Sequence, residues 1–282
     1  MLLITAAACA TSHPPLGSFE KVPTATLPRE ARVFVLAPPS WPRQAGRRYP
    51  VLFFFHEVYG NGGSLDSHGV AAELSARMRD GRLPEFFVVA PSAPAAWFSD
   101  SHDGRYRYEK FLTEDLIAWV EKRYPVIPAS CARAVTGISM GGYGAMKIAL
   151  KHPNLYGSVS TLSGALIPFD WSEDLPRYSW IARWSLKRVF GKRRDDNSLA
   201  QNDVWSLLHV TRFAHSPFRA HLRAGREDDY RLDQVAIQFG SNLNDHGVDA
   251  TVVIEPGRHD WAYWRRGLIE IAEWHGRQFA YD

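Results

Sequence analysis

The chain is expected to adopt an α/β fold, a mainly parallel, doubly wound sheet with helices on both faces, and three observations predict it. Short apolar runs alternate with longer segments of helical periodicity, the order in which a parallel sheet and its crossover helices are threaded. A length of 282 residues with 45% hydrophobic content supports one large core in one domain. Gly137-Ile138-Ser139-Met140-Gly141 stands where a strand-like run gives way to a helix-like one, a junction suited to displaying a reactive side chain.

Taken in order, Met1 to Ala10 is apolar but too short to cross a bilayer. Ala8-Cys9-Ala10 fits a small-residue cleavage site, and Ala6-Ala7-Ala8-Cys9 loosely resembles a bacterial lipoprotein box, although no positive residues precede it. Export to the periplasm, the exterior or a lipid anchor is the expectation, with a cytoplasmic location left open. Pro14, Pro15, Pro23 and Pro28 mark residues 1–28 as a signal remnant or flexible tether outside the fold, leaving 29–282 as the domain.

Strands are expected over Arg32 to Leu36, Val51 to Phe55, Phe86 to Ala90, Ala132 to Thr136, Val159 to Leu162, His221 to Ala224 and Thr251 to Ile254, most of them short and apolar. Helices are expected over Val70 to Arg79, Lys110 to Tyr124, Tyr143 to Lys151, Leu232 to His246 and Trp261 to Phe279. Leu112, Leu116, Ile117 and Val120 form an apolar face on the second of these. The tryptophan-rich segment from about 168 to 216 breaks the alternation and reads as a helical insertion over the C-terminal edge of the sheet, where ligands bind in such folds. Its Trp171, Trp180, Trp184 and Trp205 fit either a pocket wall or the insertion's own small core.

The formal charge of +3 is too mild for a nucleic-acid partner. Lys192-Arg193-Arg194 runs straight into Asp195-Asp196 and reads as a solvated turn. Cys9 and Cys131 have neither metal-ligand spacing nor the numbers for a disulfide framework. No transmembrane segment, metal or cofactor is expected, and the oligomeric state is left open.

The pentapeptide is short enough to arise by chance, so its meaning depends on partners. A serine hydroxyl needs a base and the base an orienting carboxylate, in the chain order Ser, Asp or Glu, His for an α/β-hydrolase. His259 alone among the later histidines follows an apolar strand through a short turn, Glu255-Pro256-Gly257-Arg258, and precedes a helix. His152 and His246 read as helix ends. For the acid, Gly225-Arg226-Glu227-Asp228-Asp229 leaves a strand end with three carboxylates. Asp228 ranks first, Asp229 second and Glu227 third, because Asp229 suits a helix N-terminus. Asp260 reads as the N-cap of the last helix.

Gly-Ile-Ser-Met-Gly-Gly-Tyr-Gly-Ala, Leu162-Ser163-Gly164-Ala165 and Pro256-Gly257-Arg258-His259-Asp260-Trp261-Ala262-Tyr263-Trp264 resemble the esterase D group of α/β-hydrolases. That group includes S-formylglutathione hydrolases, feruloyl and acetylxylan esterases, siderophore esterases and mycolyltransferases. The resemblance runs from about Val33 to Arg266, with Trp97-Phe98-Ser99-Asp100 and Lys110-Phe111-Leu112 inside it. It implies the α/β-hydrolase fold, and its Gly-x-x-Asp turn maps onto Gly225 and Asp228.

An acyl transfer also needs donors for the oxyanion. One is the N–H of Met140, after the nucleophile. The second belongs to the loop His56 to Gly63, and the resemblance implies Val58. Where the family has His-Gly, this chain has His56-Glu57, and an inward carboxylate there would oppose the developing charge. Glu57 and Trp97 are the substrate-contact candidates, with Trp97 as well suited to packing. His56-Glu57 does not begin a zinc-protease motif, because its fifth residue is Gly60. Trp261, Trp264 and Leu268 read as helix-to-sheet packing. The expected activity is carboxylic-ester hydrolysis of a small-molecule ester through an acyl-enzyme at Ser139, Asp228 and His259. Acyl transfer to an alcohol and a catalytically impaired binding module are the alternatives.

Overall fold

The structure is a computed structural model, and it describes residues 17–93, 96–168, 180–191, 201–210, 213 and 218–281. Its strands are β1 (Gly17–Val22), β2 (Ala31–Leu36), β3 (Val51–Phe55), β4 (Phe87–Pro91), β5 (Arg133–Ile138), β6 (Ser158–Leu162), β7 (Arg219–Gly225) and β8 (Asp249–Glu255). The helices are α1 (Ser64–Ser67), α2 (Val70–Arg79), α3 (Tyr108–Lys110), α4 (Leu116–Arg123), α5 (Met140–Lys151), α6 (Trp180–Phe190), α7 (Val204–Val210), α8 (Leu232–Asp245) and α9 (Trp261–Gln278). A π-helical turn, Phe111–Asp115, joins α3 to α4, so the single helix expected over Lys110 to Tyr124 has a wide turn near its start.

The eight strands form one sheet in the order β1-β2-β4-β3-β5-β6-β7-β8. β1 and β2 run antiparallel to their neighbours, and the pairs from β4–β3 through β7–β8 are parallel. Period-two alternation divides the core. Val51, Phe53 and Phe55 of β3 face one hydrophobic cluster with Phe111, Leu116 and Ile148, whereas Leu52 and Phe54 face another with Leu74, Leu268 and Ile271. Both faces being covered, the central strands read as continuous apolar runs. Burying each such phenylalanine contributes roughly 1.5–3 kcal/mol.

The tether expected over residues 1–28 is corrected over its described part. Gly17–Val22 is an edge strand paired with Ala31–Leu36, and the following turn is tied down by Thr26, whose hydroxyl donates to Asp115 at 3.0 Å. The strand is held by Phe19, which packs edge-on against Phe34 at 5.5 Å and lies under the Arg32 guanidinium at 3.7 Å. An edge strand with one half-buried face has little apolar content, and the flanking prolines disguised it. The leader motif around Cys9, the basic run Lys192 to Arg194 and Trp171 lie outside the described residues. Where the insertion is described, Trp205 donates its indole N–H to Leu166 O at 2.6 Å and packs on Phe239, while Trp180 and Trp184 are exposed.

Candidate active site

Ser139 sits at the tight turn between β5 and α5 with φ 52° and ψ −115°, a left-handed conformation costly for a residue with a Cβ. The glycines two before and two after it allow the turn to close. A Cβ on Gly137 would stand 2.2 Å from the backbone of Gly141, and one on Gly141 would stand 2.1 Å from Phe55 O. The turn is clipped to the next strand from both sides: Ser139 N–H donates to Leu162 O at 3.0 Å, and Ala165 N–H donates to Ser139 O at 3.0 Å. These bonds hold the hydroxyl at the C-terminal edge of the sheet.

Two strands further along, β7 and β8 deliver the other two groups. His259 Nε2 lies 3.0 Å from Ser139 Oγ, and its Nδ1 lies 2.8 Å from Asp228 Oδ2. With a carboxylate at Nδ1, that nitrogen carries the proton and donates, leaving Nε2 to accept from the serine hydroxyl. Asp228 is buried, and its Oδ1 accepts from Tyr230 N–H at 2.9 Å. The imidazole is held edge-on between the rings of Tyr230 and Trp264, at 4.8 and 4.9 Å.

The three competing carboxylates separate cleanly. Glu227 accepts from Gly257 N–H at 2.7 Å and knits the two strand-end loops together. Asp229 pairs with Arg258 at 2.7 Å on the surface and does not cap a helix, because Arg231, with φ 57°, is the residue preceding α8. Asp260 caps α9 as expected, accepting from Tyr263 N–H at 3.0 Å. His152 and His246 terminate α5 and α8.

Opposite Ser139 lies the loop after β3. His56 is fully buried and anchors it, donating from Nδ1 to Glu57 O at 2.7 Å and accepting at Nε2 from Ala93 N–H at 2.9 Å. Burial lowers its pKa to about 4, so the ring is neutral, as the accepting nitrogen requires. Sequence reasoning gave His56 no role; the histidine opening the loop was the available signal. Val58 lines the pocket with Ser139 and Met140. Met140 is the first residue of α5, so its N–H is one of the orphan donors of a helix start.

Glu57 is buried, and its Oε1 accepts from the Trp261 indole N–H at 3.3 Å. Burial raises its pKa, against smaller opposing effects of its own backbone N–H, the Trp261 indole, His68 and the Ser64 hydroxyl. The other carboxylate oxygen is buried without a hydrogen-bond partner among the described residues, a setting that disfavours charge. The side chain therefore bridges the loop to the start of α9, and its tendency toward the neutral form reduces the opposition feared from an acid at this position. Trp261 in turn stacks on His68 at 3.8 Å.

These groups line a pocket of about 370 Å³, with walls that include Val58, Trp97, Ala165, Leu232, Trp261 and Trp264 and with Tyr59 and Tyr230 beside them. Trp97 is both pocket wall and core: it is 3% exposed, and its indole N–H donates to Ser185 Oγ at 2.8 Å. Trp264 and Leu268 pack as expected, but Trp261 and Trp264 also line the pocket, a role that helical spacing alone did not show. Among the described residues no cluster of His, Cys, Asp and Glu is arranged to hold a metal.

The chain is similar to known esterases in sequence and in fold. An acetyl esterase from Caldicellulosiruptor saccharolyticus is 26% identical over 233 residues, covering 79% of this chain and 82% of that protein. Esterase Rv1288 from Mycobacterium tuberculosis is 34% identical over 135 residues, 47% of this chain but only 28% of that longer protein. Among solved structures, a ferulic acid esterase superposes with a TM-score of 0.78 at 21% identity, covering 94% of this chain and 98% of that one, which shows the shared fold. The family model described as "Putative esterase" matches residues 24–275. The chain thus belongs to the esterase family that this model describes, and its fold is that of an α/β-hydrolase.

Proposed function

We propose that the protein hydrolyses carboxylic esters through a covalent acyl-enzyme on Ser139. The supporting observation is the unbroken hydrogen-bond chain Ser139–His259–Asp228, at 3.0 and 2.8 Å. As Ser139 Oγ attacks the ester carbonyl, His259 Nε2 takes its proton and Asp228 stabilises the imidazolium; the proton then passes to the departing alcohol. A water, deprotonated by the same imidazole, attacks the acyl-serine carbonyl; the bond to Ser139 Oγ breaks, the imidazolium returns its proton to that oxygen, and the acid leaves. The N–H groups of Val58 and Met140 stabilise the oxyanion in both steps. Trp97 forms a wall of the acyl-binding pocket, and Glu57 holds the oxyanion loop against Trp261. The substrate is a small, largely uncharged ester, since a pocket of about 370 Å³ with mainly apolar walls offers little to a highly charged acyl group.

Stopped-flow mixing with p-nitrophenyl acetate and butyrate tests this reading. A p-nitrophenol burst matching the enzyme concentration, followed by steady turnover, is expected. A burst whose turnover waits for added alcohol would replace water with an acceptor and make the enzyme an acyltransferase. No burst and no turnover would leave only a binding role.

A further inference from the structure

Helix α6, Trp180–Phe190, is amphipathic in an unusual sense. Its inner face packs on the core through Ser185, Leu186, Val189 and Phe190, all buried. Its outer face carries large aromatic rings: Trp180 is 70% exposed and Trp184 52%. Lys187 and Arg188 are exposed on the same outer stripe, since positions 180, 184, 187 and 188 follow helical spacing. The helix contains no acidic residue.

The patch continues onto a second element. Arg188 lies over both Trp184 and the half-exposed Tyr106, at 5.3 and 5.4 Å, and His102 N–H fastens that loop to α6 by donating to Val189 O at 2.7 Å. Beside it opens a cavity of about 620 Å³ that Arg29, Arg32 and Arg188 line together with Tyr106 and Tyr108. The two carboxylates on that rim are already engaged, Glu30 by Lys21 and Asp103 by Arg105.

We propose that this face docks on an anionic phospholipid surface. An acidic soluble partner would answer the cations and leave two exposed indoles in water, and a purely apolar partner would strand the guanidinium groups. A headgroup layer satisfies both, with indole rings at its boundary with the acyl chains and Lys and Arg among the phosphates. The face is coupled to the pocket: Ser185 of the same helix accepts from the indole of Trp97, whose ring lines the site of Ser139. Docking there holds the catalytic pocket close to the surface, and it stands independently of the acyl-enzyme reading.

Cosedimentation with vesicles tests it. The intact chain is mixed with phosphatidylcholine vesicles and with vesicles containing added phosphatidylglycerol, beside the double variants Trp180→Ala/Trp184→Ala and Lys187→Glu/Arg188→Glu. The proposal expects pelleting with the phosphatidylglycerol vesicles alone, weakened by salt. Each double variant should bind at least about tenfold more weakly and turn over a soluble p-nitrophenyl ester at the unaltered rate, which shows that it is folded. In the unaltered protein, brominated acyl chains should quench tryptophan fluorescence. Failure to pellet, equal binding by the variants, or loss on charge reversal alone without quenching would each overturn the proposal.

Discussion

Asp228 and Glu57, both buried carboxyls beside the same pocket, are placed in opposite circumstances. Asp228 has an imidazole at one oxygen and a backbone N–H at the other, so Asp228→Asn should preserve the fold but reverse the histidine tautomer. A loss in kcat of roughly 10³–10⁴-fold is expected, and p-nitrophenyl butyrate turnover measures it. Glu57 has one indole donor and, among the described residues, one oxygen without a hydrogen-bond partner, and burial pushes its pKa up. A raised carboxyl pKa favours the folded state while the group is protonated, and that stability is lost as pH rises through the raised value. Glu57→Gln should therefore raise the thermal midpoint at neutral pH and leave it unchanged below about pH 4, where a glutamate is largely protonated even in an unfolded chain. The juxtaposition of Ser139, Asp228 and His259 was legible because each position depends on local context, a strand end and the few residues after it. Glu57 was legible only as a departure. Its direction is set by Trp261, which follows it by 204 residues.

At the scale of elements, helix α5, which follows Ser139, is anchored from its buried side by a charge. Lys147 of α5 is fully buried and reaches Glu109 Oε2 at 2.8 Å, Ser99 Oγ at 2.6 Å and Phe98 O at 3.0 Å. Burial alone would raise the Glu109 carboxyl, but Lys147, His152 and Lys151 hold it well below the usual range. Trp97 and Phe98, with φ of 50° and 49°, adopt the left-handed conformation that these bonds stabilise, and Trp97 is a pocket wall. Lys147→Met leaves Glu109 buried with fewer cations and should cost roughly 3–5 kcal/mol in denaturant unfolding. Adding Glu109→Gln should recover part of that loss. The apolar strands were read within about two residues of their bounds, because burial on both faces imposes a continuous apolar run. β1 escaped, having one half-buried face between prolines, and Lys147 gave no sign that a cation on an apolar helix faced inward.

At the scale of the whole molecule, three histidines buried among the described residues should make the fold sensitive to acid. Burial lowers the pKa of His56 and His221 to about 4 and that of His275 to about 3, in His221 and His275 with smaller contributions from neighbouring positive charge. His275 sits between Ser158 and Ser160 at 2.7 and 2.8 Å, and His221 stacks on Trp274 at 5.0 Å. In the unfolded chain each binds a proton near pH 6.5, so the unfolded state gains protons first, and stability falls as pH drops from about 6.5 toward 4. Urea midpoints measured between pH 7 and pH 4 should decline steadily, and a flat profile would contradict neutral burial. Chain order and residue pattern sufficed for the sheet and for the edge where Ser139, Asp228 and His259 meet. The surface beside the pocket was not legible, since exposure of Trp180 and Trp184 depends on which face α6 buries.

The most direct test of the central claim is the site of acylation. The protein is mixed with p-nitrophenyl butyrate, quenched in acid within the burst, digested and mapped by mass spectrometry. A single butyryl group on the peptide containing Ser139, absent from Ser139→Ala, is the predicted result. Acylation elsewhere, or continued turnover by Ser139→Ala, would contradict it.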